Sequence, residues 1–170
     1  METTTVKLYA LEYNNAKTYW TACLFILGNI LLPQLCHLVP MGGLRWLPIY
    51  FFTLIAAYKY GWRVGLLTAI ASPLVNSMLF GMPAIAVLPA ILLKSVLLAG
   101  AAGIAAARFN KASLVLLTAV VISYQVVGIL GEWAMEGDFF SAIQDFRIGL
   151  PGILLQIFGG WGVINFLIRK

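Results

Sequence analysis

Lys94 is the residue most in need of a chemical explanation. It lies eleven positions into an apolar run from Pro83 to Ala107, which in a helix is about 16 Å from the start of the run. An ammonium at that depth in hydrocarbon costs at least ~2.5–3.5 kcal/mol, so a carboxylate, carbonyl oxygens, water or a ligand must meet it. No Asp or Glu lies deep in any apolar run, and the nearest, Glu132, stands at the edge of one. The chemistry this offers is a positive anchor for a carboxylate or phosphate on a small ligand. The alternatives are an internal ion pair or a side chain stretched toward an interface.

Other polar side chains reach a similar depth. Asn76, Gln125 and Gln156 each lie five to seven residues inside an apolar run. Gln125, Gly128 and Glu132 follow i, i+3, i+7 and share a helix face, as do Ser72 and Asn76, and Gly152, Gln156 and Gly160. If these faces converge, they form a polar cup into which Tyr124, Trp133 and Trp46 could bring rings for stacking. The plainer alternative is interhelical hydrogen bonding. His37, the one histidine, sits beside Cys36 near the expected mouth. One His and one Cys make no metal site by themselves, and a catalytic triad is unsupported. No phosphate-cradling loop is present, so ATP hydrolysis is expected on other chains. No cofactor is expected.

The elements that must position these residues follow from composition. Hydrophobic residues make up 62% of the 170 and charged residues 10%, against roughly 25% charged in soluble domains. A water-facing surface could not be covered, whereas lipid solvates an apolar one. The reading is an all-α integral membrane protein in a single domain. Six spans are expected, at about 18–38, 44–60, 62–81, 83–107, 112–131 and 149–168, each near the ~20 residues that cross ~30 Å of hydrocarbon. The first seventeen residues are polar, and no cleavable leader is expected.

Charge sets the orientation. With the N-terminus inside, Lys7, Lys17, Lys59, Arg63, Arg108, Lys111, Arg169 and Lys170 are cytoplasmic and only Arg45 and Arg147 are outside. Short-loop Lys/Arg bias therefore predicts both termini in the cytoplasm and a multi-pass protein of the cell (inner) membrane. Four of the six acids, Glu132, Glu136, Asp138 and Asp145, are assigned to an external connection over 132–148. The net charge of +5 is thus a topology signal and not a nucleic-acid surface. Small residues recur every four positions, as Ala57 and Gly61, Gly65 and Ala69, and Ala99, Gly103 and Ala107. Such ladders pack a bundle or dock a partner's helices.

Six spans, both ends inside and an outward cup resemble the substrate-binding S components of energy-coupling factor (ECF) transporters. The local carrier is 54–109, where a Gly-containing third span ends in Leu-Phe-Gly-Met-Pro and a small-residue-rich fourth ends in Ala-Arg-Phe-Asn-Lys. The family's Ala-x-x-x-Ala docking pattern in the first span is not kept, since Ala22 is followed by Ile26. Ala57, Gly61, Gly65 and Ala69 are the expected substitute. The resemblance implies capture of a vitamin or related micronutrient from outside, with a transmembrane coupling subunit and two ATPases as partners. Two other readings are an intramembrane enzyme acting on a lipid or isoprenoid, and a small scaffolding subunit.

Overall fold

The computed structural model describes residues 10–168, and among them there are helices and turns but no strand. The helices are α1 (Ala16–Cys36), α2 (Gly42–Trp46), α3 (Pro48–Tyr60), α4 (Trp62–Phe80), α5 (Leu88–Phe109), α6 (Leu114–Glu136), α7 (Phe139–Ala142), α8 (Gln144–Ile148), α9 (Leu150–Leu154) and α10 (Gly160–Ile168). One π-helical turn, Leu155–Gly159, joins α9 to α10. Five helices are long and apolar enough to cross a membrane: α1, α4, α5, α6 and the continuous segment Leu150–Leu167. These are the elements of a multi-pass membrane protein, because helices satisfy their own backbone groups in hydrocarbon.

The second expected span departs from this pattern. It is broken at Leu47, which adopts a left-handed conformation (φ 45°, ψ 47°) immediately before Pro48. Proline's ring disfavours the right-handed helical region for its predecessor, so the chain turns there and α3 begins afresh with Pro48 in its first turn. The remaining 13 residues rise about 20 Å, less than a hydrocarbon core of ~30 Å. Burial makes this tolerable. Eleven residues of α3 are buried, and α1, α4, α5 and α10 pack around it. A helix enclosed on all sides needs no polar face, and neither of its ends has to reach an interface.

Two other boundaries move. The fourth expected span starts as a helix only at Leu88, because 81–87 form turns. The fifth runs on to Glu136 and stops at Gly137, whose φ of 74° supplies the left-handed cap. Glu132 and Glu136 therefore belong to the last turns of α6 and not to a loop, which corrects the reading of 132–148 as one external connection. Phe139–Ala142 and Gln144–Ile148 in that stretch are short helices.

The connections at 37–47, 81–87 and 137–149 gather at one end of the bundle, and those at 61 and 110–113 at the other. Lys59, Arg63, Arg108 and Lys111 mark the second end, with Lys17 in the first turn of α1 beside them. Lys7, Arg169 and Lys170 lie outside the described residues. Arg63 pairs with Glu12 at 3.5 Å, and the Tyr58 hydroxyl donates to the Lys111 carbonyl there.

Small residues close the seams. A Cβ on Gly65 would overlap Ala57, and one on Gly103 would come within 2.5 Å of the Trp62 Cβ. Ala57 and Ala69 are fully covered by the chain itself. This corrects the expected docking set. Ala57, Gly65 and Ala69 are consumed inside the bundle, and Gly61, with φ 98°, makes the tight turn between α3 and α4.

Candidate functional site

The site begins with a proline. Pro33 lies inside α1 and has no N–H to give to the carbonyl of Asn29 one turn earlier. That carbonyl is instead met by α4, where Asn76 Nδ2 donates to Asn29 O at 2.9 Å and to Ser72 O at 2.9 Å. The Asn29 side chain completes the tie: its Nδ2 donates to Thr53 Oγ1 at 3.0 Å and to Ser72 Oγ at 3.2 Å, and its Oδ1 accepts from Phe52 N at 3.2 Å. One buried network thus fixes α1, α3 and α4. With both Nδ2 hydrogens directed at carbonyls, the amide of Asn76 has one orientation. Its Oδ1 is buried and has no hydrogen-bond partner among the described residues.

Asn76 lines a cavity of about 320 Å³ at the end of the bundle formed by 37–47, 81–87 and 137–149. Pro33 of α1 and His37, just past its end, form one wall, and Leu44, Leu47, Pro48, Ile49 and Tyr50 another. Met82, Pro83, Val87 and Ile91 add a third apolar side. Glu132 and Glu136 enter from α6, Ser141 from α7 and Gln144 from α8. A mostly apolar pocket with a few convergent polar groups is the usual form of a small-molecule site. The two short helices exist because the chain after Gly137 folds back: Asp138 caps α7 through the Phe140 N–H at 2.9 Å.

Below the cavity, Lys94 of α5 forms an ion pair with Glu132. The lysine side chain is 1% exposed and the glutamate 11%, so the pair is all but sealed from solvent. Gly128 makes it possible, since a Cβ there would lie 2.6 Å from Lys94 Cγ. The lysine stem crosses α6 at that glycine and reaches the carboxylate one turn further on. Because α5 begins at Leu88, Lys94 is only about 9 Å from the helix start. It is therefore shallower than a helix from Pro83 would have placed it, and level with Glu132. The expectation that Lys94 meets an anion on a ligand gives way to a counterion within the chain.

A second buried cluster lies deeper between α6 and the π turn. Tyr124 Oη donates to Gln156 Oε1 at 2.8 Å and accepts from Gln125 Nε2 at 3.1 Å. The Tyr124 ring stands 5.6 Å from that of Tyr50, which is in the cavity wall. Gly152 lets α9 approach the break before α3, because a Cβ there would come within 2.5 Å of the Trp46 carbonyl.

Of the residues singled out from sequence, His37, Asn76 and Glu132 line the cavity. Lys94, Tyr124, Gln125 and Gln156 are buried beside or beneath it. Trp46 and Trp133 are half-exposed outside it, the latter edge-on to Phe139 at 5.6 Å. Sequence reasoning passed over Tyr50, Glu136, Ser141, Gln144 and the supporting Asn29. Two of these had signals: Glu136 is one turn beyond Glu132, and Asn29 is one turn before a proline. Among the described residues, no three His, Cys, Asp or Glu side chains are grouped so as to hold a metal. Compared with protein-family models, with curated proteins and with solved structures, the chain gives no match.

Proposed function

We propose that this protein is a membrane-embedded binding subunit that captures a small micronutrient, a vitamin or a precursor of one, from the outer face of the cell membrane. The observation that carries this reading is the cavity: about 320 Å³, at one end of an apolar bundle, lined by Asn76, whose buried carbonyl oxygen has no hydrogen-bond partner among the described residues. Pockets of ~300 Å³ and above accept small organic molecules. A buried acceptor without a partner is costly unless something donates to it. The charge bias supports an outer location for this end, since Lys59, Arg63, Arg108 and Lys111 mark the opposite end. The likeness to ECF S components supports delivery to a transmembrane coupling subunit with two ATPases. Such a subunit would meet a face other than the α3–α4 seam.

The direct test is to purify the full chain in mild detergent, denature it and identify released small molecules by mass spectrometry. A stoichiometric micronutrient is the expected result, and its loss in Tyr50→Trp, which fills the cavity, assigns it to this pocket. A protein that carries nothing, and whose expression does not raise uptake of any supplied vitamin, sinks the reading.

A further inference from the structure

The carboxylates of the cavity lining, Glu132 and Glu136, point to a class of ligand. The lining contains no Lys or Arg. It contains Glu132 and Glu136, Asn76, whose Oδ1 is buried without a hydrogen-bond partner among the described residues, and His37, Ser141 and Gln144, which can act either way. Asn76 is 1% exposed, and its Oδ1 is an acceptor only, held in place by the two bonds its Nδ2 makes. The one ammonium nearby, on Lys94, lies behind Glu132, outside the lining. It neutralises that carboxylate without presenting a positive surface. Glu136 then adds a second carboxylate to a wall that is mostly apolar.

We infer that the captured molecule is a small, largely apolar ring compound with a cationic or N–H-rich edge, such as an amine, amidine or amino-substituted nitrogen heterocycle, and not a carboxylate or phosphate. This rests on the capture reading and goes beyond it in naming the ligand's chemistry. An N–H edge directed at Asn76 Oδ1 would satisfy the buried acceptor, and a positive charge would complement Glu136. An anion would meet the Glu136 carboxylate, with no Lys or Arg among the lining residues to balance it. Apolar ring faces fit against Ile49, Leu47, Val87 and Ile91, and Tyr50 offers its ring to a cation.

Three probes of one shape separate the possibilities: benzamidine (cation), benzamide (neutral) and benzoate (anion), each titrated into the purified full chain in detergent and followed by isothermal calorimetry. Benzamidine should bind at least tenfold more tightly than benzoate, with benzamide between them. In Glu136→Gln, which removes the charge of an exposed lining residue and keeps its size, benzamidine should lose several-fold in affinity and benzamide much less. Benzoate binding as tightly as benzamidine overturns the inference, as does a benzamidine preference untouched by Glu136→Gln or binding of none of the three. A stoichiometric co-purified carboxylate or phosphate also overturns it, yet leaves the capture reading standing. A chain that carries no small molecule and promotes no uptake overturns that reading instead.

Discussion

At the scale of single residues, Lys94 and Glu132 decide each other's meaning. Removing the lysine leaves a carboxylate that is mostly sealed from solvent without its counterion, a situation that costs ~3–5 kcal/mol in buried pairs. Lys94→Met should therefore unfold markedly earlier than wild type in mixed-micelle denaturation. Lys94→Met combined with Glu132→Gln should recover most of the loss, because no buried charge is then left over. Equal and additive losses in the two single variants and the double would show that the pair is not coupled. The existence of a partner problem at Lys94 was legible in the sequence, and its solution was not. Hydrophobic run length alone ends the fifth span before Glu132 and starts the fourth at Pro83, which makes the lysine too deep. Both errors come from helix ends, where Gly137 extends α6 and the turns at 81–87 shorten α5.

At the scale of elements, the bundle discriminates sharply between glycines. Gly65 and Gly128 are crowded, by Ala57 and by the Lys94 stem, whereas a Cβ on Gly100 would meet nothing within 4 Å. Gly65→Leu should destabilise the protein by at least ~1–3 kcal/mol through overpacking. Gly128→Ala should weaken the ion pair in the same direction as Lys94→Met. Gly100→Leu should be neutral to within ~0.5 kcal/mol. Thermal melting in detergent checks all three, and a Gly65→Leu protein as stable as wild type would show that the α3–α4 seam is looser than its geometry. Three of the six expected spans, the first, third and sixth, could be read closely from hydrophobic run length. The break at Leu47 could not, because Pro48 sits in an unbroken apolar stretch that also suits an ordinary helix start. Nor does periodicity signal α3, since a helix buried all round has no face to reveal.

At the scale of the whole molecule, the gathering of cavity, acids and long connections at one end gives orientation its functional weight. In a background with Cys23 and Cys36 replaced by Ala, a cysteine at Asp138 should react with an impermeant maleimide added to intact cells. A cysteine at Lys111 should react only after permeabilisation. The reverse pattern would put the cavity in the cytoplasm and remove capture from outside. Composition and the count of basic residues were enough to suggest membrane location and this orientation. The cavity was only partly foreseeable, because His37, Asn76 and Glu132 meet there through turns and short helices whose paths no periodicity records.

The pairing of Lys94 with Glu132 also bears on how the chain enters the bilayer. The two charges sit on consecutive antiparallel helices, joined by only four residues, 110–113. Inserted singly, α5 would carry an unpaired ammonium into lipid at a cost of ~2.5–3.5 kcal/mol. Inserted as a hairpin, α5 and α6 bring both charges across already neutralised, with Gly128 providing the channel along which the lysine reaches its partner. Insertion of α5 and α6 together as a hairpin would therefore spare α5 an unpaired ammonium in lipid.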